Sequence, residues 1–303
     1  MSETKDNFLF SVVIPAYNYA HTLRRAVESV LQQPGEDYEL LVVNDGSTDD
    51  TERLLAELDK EYENRFRSVT RTNKGPAATR NYGVDHTSGK YLIFLDADDA
   101  FCKDALSFLR STIKNNPGLG MAVGGHVSVD SKGQQTIIPH SSIPGEPLER
   151  VKHYLLDKKI TLSNGSVAMR RDVFSRYRYP EKFRNSEDLS MFAYVLANYS
   201  VACVDGPISY VHKHSDSLRH NVKLARSIGI KIVDEVFDIN RLPGNFQSLR
   251  EKFATQRLLS LSRTCYLAGD KTACRDFFWQ AFRRDWRVLL SWSYCRKFLR
   301  SLL

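Results

Sequence analysis

Short apolar runs alternate with stretches of helical period through the first hundred residues, and this alternation limits the fold more than any other feature. The runs are Phe8–Ile14, Tyr38–Val43, Phe66–Thr70 and Tyr91–Leu95. The first, second and fourth are short apolar runs that end at Pro, Asn and Asp, as buried strands do, and Phe66–Thr70 is a weaker strand. Between the first two, His21–Gln33 carries Leu23, Ala26, Val27, Val30 and Leu31 at helical spacing. Asp49–Tyr62 places Leu54, Leu55 and Leu58 on one face, and Pro76–His86 begins with proline in a first turn. Strand, helix, strand at this pace predicts βαβ units and a mostly parallel sheet flanked by helices.

The pattern continues less regularly. Lys103–Asn115 reads as an amphipathic helix stopped by Asn116-Pro117-Gly118. Met121–Val129 and Gln135–Ile138 flank Ser131-Lys132-Gly133, a hairpin signal. Pro144–Lys158 is expected to be helical, Ser166–Met169 a strand, Glu187–Asn198 a helix and Val201–Val204 a strand. From about Arg219 the period is helical to the end, interrupted at Leu242-Pro243-Gly244-Asn245. Two domains are therefore expected, residues 1–218 and 219–303.

The formal charge is +7, and most of it is local. Between Arg275 and Leu303 stand seven basic residues and two acidic ones, together with all three tryptophans of the chain. The five cysteines are scattered without a C-x-x-C pair, which favours a reducing compartment over a zinc cluster or a disulfide framework. The opening MSETKDNF lacks the basic-then-apolar order of a leader, and no apolar run approaches the ~18 residues of a spanning helix. A cytoplasmic protein is expected.

In an open parallel sheet, ligands bind beyond the carboxyl ends of the strands. The first strand is followed by Pro15-Ala16-Tyr17-Asn18, the second by Asn44-Asp45-Gly46-Ser47-Thr48-Asp49, and the fourth by Asp96-Ala97-Asp98-Asp99. The middle segment alone could be a capped turn. Asp99 could cap the following helix, but Asp96 and Asp98 add two more carboxylates to one tight turn. Like charges that close repel unless a cation lies among them, and a hard divalent ion with phosphate oxygens suits them. No G-x-x-x-x-G-K-[ST] loop and no G-x-G-x-x-G after a strand is present. These absences argue against P-loop NTPases and nicotinamide enzymes.

SVVIPAYN, LLVVNDGSTDDT, NKGPAATRNYG, GKYLIFLDADD and SEDLSMF occur in that order across roughly residues 8–218. The set resembles the inverting family-2 glycosyltransferases, whose fold is the Rossmann-like GT-A fold. The resemblance implies transfer of a hexosyl or deoxyhexosyl unit from a UDP-, dTDP- or GDP-sugar to a glycan or lipid-linked acceptor, in cell-surface polysaccharide or lipopolysaccharide assembly. It implies that Pro15 and Tyr17 line the base pocket, that Asp45 accepts a hydrogen bond from the base, and that Lys74 and Arg80 lie near the nucleotide. Asp96 and Asp98 match the D-x-D motif that holds Mg²⁺ or Mn²⁺ and the diphosphate, with Asp99 beside them. Asp188 matches the catalytic base, with Glu187 on the acceptor side. His214 resembles a histidine that closes over the diphosphate, and His212 is a rival for that role. Two other classes stay in view: a sugar nucleotidyltransferase, and a non-catalytic protein that binds acidic surfaces through its basic end. The former usually carries a glycine-rich basic loop after its first strand, and PAYN is not one.

The last segment lies outside the resemblance. Trp279, Phe282, Trp286 and Leu289 are spaced as one helical face, with Arg283, Arg284 and Arg287 largely off it. Aromatic residues beside arginines suit a membrane–water interface, so peripheral attachment to an anionic inner leaflet is expected. The alternative is a helical hairpin whose aromatics pack inward while its arginines are merely solvated. Nucleic acid is a poorer partner, since no recognisable nucleic-acid motif is present.

Overall fold

A computed structural model describes residues 8–213 and 226–302. In chain order the elements are β1 (Phe10–Ala16), α1 (Ala20–Leu31), β2 (Tyr38–Asn44), α2 (Thr51–Tyr62), β3 (Arg67–Thr70), α3 (Pro76–Asp85), β4 (Tyr91–Phe94) and β5 (Ala100–Phe101). There follow α4 (Ala105–Asn115), β6 (Met121–Val129), β7 (Gln135–Ile138), α5 (Pro147–Leu155), β8 (Val167–Arg170), α6 (Asp172–Arg176), α7 (Glu187–Asn198) and β9 (Val201–His212). The rest is helical: α8 (Lys231–Val236), α9 (Arg250–Leu267), α10 (Lys271–Arg284) and α11 (Trp292–Leu302), with 3-10 turns at Gly244–Leu249 and Trp286–Leu290.

The chain divides into two compact units. One comprises Met1–Pro144 and Lys159–His214, the other Gly145–Lys158 and Ser215–Leu303. α5 thus belongs to the helical unit, although the sequence placed it among the sheet elements.

The first unit is a mixed α/β structure. Its sheet runs β3-β2-β1-β4-β8-β6-β9-β5, with β7 on β6. β3, β2, β1 and β4 are mutually parallel, as the alternation predicts. Beyond β4 the pairing is mixed: β8 is antiparallel to both β4 and β6, whereas β9 is parallel to β6. The β6–β7 hairpin forms as expected.

The inner parallel strands β1, β2 and β4 are largely apolar because both faces of the sheet are covered there, whereas β3 at the edge is mostly exposed. Phe10, Val12, Ile14 and Ala16 of β1 point into a core with Leu23, Val27 and Val30 of α1, Leu55 and Leu58 of α2, and Leu106 and Leu109 of α4. On the other face Val13 backs onto α3, where a Cβ on Gly83 would stand 2.5 Å from Val13 Cγ1. Phe94 meets Phe174 and Tyr179 edge-on there. Only glycine at 83 lets α3 approach so closely, and α3 carries Arg80 to the sheet's carboxyl edge.

Two expectations are corrected. β9 continues eight residues past Val204, to His212. The Asp205-Gly206-Pro207 sequence that looks like a terminator is absorbed as a bulge, with register shifts against β6 between Val123 and His126 and with Gly206 at φ 153°. The apolar stripe at the end of the chain is not one helical face either. α10 stops at Arg284 because Asp285 is extended (φ −148°, ψ 106°) and its carboxylate accepts the Arg287 N–H at 3.0 Å, starting a separate 3-10 turn. Trp279 and Phe282 lie on α10, Trp286 and Leu289 on the turn.

Candidate active site

β2 and β4 flank β1 on opposite sides, so the direction of connection reverses at β1. Such a reversal opens a crevice at the carboxyl ends of the strands. The segments following β1, β2 and β4 meet there. Pro15 is the penultimate residue of β1 and half-buried; Tyr17, just beyond the strand, is 46% exposed.

The first two segments are stitched together by their own polar side chains. Ser47 Oγ accepts the Asn18 N–H at 2.9 Å, Asn18 Oδ1 accepts the Thr48 N–H at 2.7 Å, and Asp49 accepts the Ala20 N–H at 3.0 Å. Asn18 reaches across with φ 60°, a conformation asparagine tolerates. Asp45 is buried and collects the backbone N–H groups of Lys74 (3.1 Å) and Gly75 (2.7 Å), while Arg71 Nε lies 3.3 Å away. Its carboxylate therefore holds residues 71–75 against the end of β2. Lys74 itself is exposed, and Gly75, at φ 90°, starts α3.

The acidic turn after β4 is braced from three sides. Asp99 donates its backbone N–H to the Asp96 carbonyl (3.0 Å), and its buried carboxylate accepts the His212 N–H at 2.9 Å, tying the turn to the end of β9. His212 Nδ1 is 3.9 Å from the same carboxylate. Arg25 of α1 donates to the Asp98 carbonyl. Asp98 is half-buried, and the Asp96 side chain is 38% exposed.

Arg80 joins this turn to the second acidic motif. Nη2 lies 3.0 Å from Asp96 Oδ1, and Nη1 lies 2.5 Å from Glu187 Oε1 at the start of α7. The guanidinium also sits over the Tyr179 ring, 5.5 Å from its centroid. Burial opposes the charge of Arg80, but Asp96, Glu187 and, more weakly, Asp188 outweigh it and hold its pKa above the ordinary value. Burial raises the Asp96 carboxyl above the usual carboxylate range; Arg80 pulls it down and Asp98 pushes it up again. The Tyr179 phenol is pushed far up by burial and donates to Asn164 Oδ1 at 3.0 Å, so it acts as a neutral hydroxyl.

Glu187 is buried against Arg80, whereas Asp188, the next residue, is half-buried and close enough to Arg80 and Tyr179 to affect the charge of both. At the second position of α7 it lies in the first turn, where the helix dipole favours an anion. Asp96, Asp98, Arg80, Glu187 and Asp188 thus form one acidic cluster with a buried guanidinium at its centre. His214 lies outside the described residues.

Sequence reasoning did not single out Arg25, Arg71 or Tyr179. Tyr179 is anchored by Asn81, which accepts the Tyr179 N–H at 3.0 Å and donates to its carbonyl at 2.9 Å. Asn81 follows Arg80 within the R-N-Y-G stretch, and that adjacency is the available signal. Arg25 and Arg71 carry none, because their partners are remote or backbone groups.

Among the described residues no group of three or more His, Cys, Asp and Glu side chains gathers as a self-sufficient metal site. Asp96 and Asp98 supply two half-buried, mutually repelling carboxylates in the turn after β4. This suits a hard cation that takes its remaining oxygens from water and from a substrate's phosphates.

Residues 11–178 match the family described as Glycosyl transferase family 2. A Rickettsia conorii protein described as an uncharacterized glycosyltransferase is 30% identical over 202 residues, covering 66% of this chain and 32% of that protein. The chain therefore spans about a third of that relative's length. The Escherichia coli UDP-Glc:alpha-D-GlcNAc-diphosphoundecaprenol beta-1,3-glucosyltransferase WfgD is 26% identical over 204 residues, 66% of this chain and 74% of that one. Among solved structures, Staphylococcus aureus TarS 1–349 in complex with UDP-GlcNAc superposes with a TM-score of 0.67 at 22% identity, covering 96% of this chain and 88% of that chain. That likeness carries the fold.

Proposed function

The chain belongs to glycosyl transferase family 2, and from this we propose that it transfers a sugar from a UDP-, dTDP- or GDP-sugar to a hydroxyl of a glycan or lipid-linked acceptor, inverting the anomeric centre. The observation that carries this reading is the pairing of two acidic motifs through Arg80. One follows the sheet's switch point and the other opens α7. Each motif has one half of the chemistry a displacement at an acetal carbon requires.

Pro15 and Tyr17 are the surfaces for the base, and Asp45 shapes that end of the crevice by fixing residues 71–75. Lys74 is placed to meet the nucleotide. Asp96 and Asp98 would hold Mg²⁺ or Mn²⁺ with the donor's diphosphate, and Asp99 keeps their turn in place. Asp96 fits such an ion, because partial desolvation and the neighbouring Asp98 charge both disfavour its negative form. When bound, the cation stabilises the charge that grows on the leaving diphosphate.

Asp188 accepts the proton of the acceptor hydroxyl as that oxygen attacks the anomeric carbon. Glu187 does a different job: its carboxylate is committed to Arg80, so it sets the position of the first turn of α7 and hence of Asp188. Arg80 keeps the two acidic motifs from repelling each other while the donor is absent. Attack from the side opposite the leaving diphosphate inverts the centre, which requires the base and the diphosphate site to be separate groups, as Asp188 and Asp96–Asp98 are.

The relatives support an acceptor in cell-surface glycan assembly. WfgD is named for a diphosphoundecaprenol-linked substrate, and a Bacillus subtilis relative, 35% identical over 120 residues, is named a minor teichoic acid biosynthesis protein. We place the reaction in the cytoplasm at the inner face of the membrane, where such acceptors and nucleotide sugars meet. No helix among the described residues is long and apolar enough to cross a membrane.

The test is thermal unfolding with UDP, dTDP and GDP in turn, each with and without Mn²⁺. A ligand that binds only the folded state raises the transition temperature. One diphosphate should stabilise the protein in the presence of Mn²⁺ and lose that effect in chelator. If none of the three does so, the reading is wrong.

A further inference from the structure

The end of the helical unit shows more apolar surface than its own core requires. Val288 and Cys295 are buried with Leu258, Leu259, Phe278 and Ala281, and Phe282, Tyr294 and Phe298 pack against that cluster. Phe298 stacks on Phe278 with ring centroids 4.3 Å apart. The inward face of this segment is therefore complete. Yet Trp286, Leu289, Leu290 and Trp292, all within seven residues, are 53–76% exposed. Leu299 and Leu302 on α11 are also more than half exposed. Isolated exposed apolar residues need no explanation, but a run of two tryptophans and two leucines marks an interaction surface.

The charges beside this run identify its occupant. No acidic residue stands between Trp286 and Leu303. Among the described residues Arg283, Arg296 and Arg300 have no carboxylate within 4 Å, and Arg287 pairs only with Asp285. On α11, Trp292, Arg296, Leu299 and Arg300 follow an i, i+4, i+7, i+8 pattern, so apolar and cationic side chains share one outward face. A surface that accepts both at once must be oily and anionic within a few ångströms. That is the boundary between acyl chains and lipid phosphates, where tryptophan and arginine both concentrate. An apolar protein groove would leave the arginines desolvated without partners, at considerable cost.

We propose that the outward face of residues 283–302 docks on an anionic lipid bilayer. Trp286, Leu289, Leu290 and Trp292 enter the interface, and Arg283, Arg287, Arg296 and Arg300 meet the headgroup phosphates. The inference is independent of sugar transfer: the patch contains none of the residues assigned to the crevice, and its test involves no nucleotide.

Two of the chain's three tryptophans, Trp286 and Trp292, lie on this surface, so intrinsic fluorescence reports on it without a label. The full chain is mixed with vesicles of phosphatidylcholine alone, or of phosphatidylcholine with phosphatidylglycerol, at low and high salt. Sedimentation and emission are read together. Binding to the anionic vesicles, a blue shift in emission and weakening by salt are expected. Near an anionic surface each basic residue contributes roughly fivefold in affinity, so Arg283→Gln, Arg296→Gln and Arg300→Gln combined should weaken binding roughly a hundredfold. Trp286→Ser with Trp292→Ser should abolish the blue shift, with far-UV circular dichroism unchanged because both side chains are exposed. The proposal is overturned if the wild-type chain stays in the supernatant with anionic vesicles at low salt, or if the arginine variant binds like wild type. It is likewise overturned if the emission shifts with protein concentration in the absence of lipid, which would assign the patch to a second copy of the chain.

Discussion

Replacing Arg80 by Met removes a guanidinium shared by two acidic motifs while keeping most of the side chain's length. The Glu187 side chain is 8% exposed and its partner is lost; stranding one member of a buried pair costs about 3–5 kcal/mol. Asp96 loses its partner too; part of its side chain is desolvated, but 38% stays exposed, so water replaces much of the guanidinium and the further loss is about 0–1 kcal/mol. Arg80 Nε is buried and makes no hydrogen bond among the described residues, so the remaining loss is the contact of the guanidinium with the Tyr179 ring, about 0.5–2 kcal/mol. The expected loss is thus at least about 3–5 kcal/mol, most of it from Glu187. With a denaturant slope of about 2 kcal/mol per molar urea, the midpoint should drop by roughly 2 M when unfolding is followed by far-UV circular dichroism at neutral pH. The origin of the loss is tested by a second substitution. Arg80→Met with Glu187→Gln should recover part of the stability, because residues in direct contact couple by about 0.5–3 kcal/mol. Arg80→Met with Asp45→Asn should recover none. A single variant unfolding at the wild-type midpoint, or a double variant no better than the single, would refute the reasoning.

Other expectations follow from the same structure. Asp188→Asn keeps the size of the side chain but cannot take a proton, so turnover should fall at least ~10²-fold with diphosphate affinity unchanged; near-normal turnover would move the base elsewhere. Gly46→Ala places a Cβ 2.9 Å from the Asn73 nitrogen at a φ of 72°, so it should lower the melting temperature and weaken nucleotide binding by displacing residues 71–75. Unchanged affinity would show that this loop does not shape the base end. Glu39 is half-buried, which raises its pKa, but hydrogen bonds from Ser88, Ser11 and Gly89 outweigh that desolvation and hold it below its ordinary value of 4.5. A depressed carboxyl stabilises the fold above its unfolded pKa, and that contribution is lost as pH falls through the folded value. The stability gap between wild type and Glu39→Gln should therefore be widest near pH 6 and narrow toward pH 3, as read by urea midpoints. A constant gap would contradict the assignment.

The half of the sheet that forms the crevice was legible in the sequence because each βαβ unit is written locally. Alternating strand and helix periods place β1, α1, β2, α2 and β4 to within a few residues, and the polar residues after each strand mark the carboxyl edge. β9 was read short because Asp205-Gly206-Pro207 looks like a stop, and only pairing with β6 makes it a bulge. β5 is two residues long and exists only through its ladder to β9. In the site, Asp96 and Asp98 could be picked out because their carboxylates crowd one turn; Asp188 was singled out by the family resemblance, since an acidic pair at a helix start has an equally good reading as a favourable dipole contact. The Arg80–Glu187 pair spans 107 positions, and no local pattern announces a contact at that separation. Tyr179 is hidden for the same reason: its place beneath Arg80 comes from Asn81, almost a hundred residues earlier. At the end of the chain the stripe from Trp279 to Leu289 has helical spacing, yet Asp285 caps a new turn inside it and splits the face in two.

The central claim is that the crevice holds a nucleotide sugar through Asp96 and Asp98 and that Asp188 serves as the base. It is tested most directly by measuring nucleoside diphosphate released from a panel of UDP-, dTDP- and GDP-sugars with Mn²⁺, for wild type, Asp98→Ala and Asp188→Asn. Wild type should turn over one class of donor. Asp98→Ala should lose both release and diphosphate binding, while Asp188→Asn should lose release and keep binding. Turnover by both variants at the wild-type rate, or neither turnover nor binding by the wild-type chain with any donor, would contradict it.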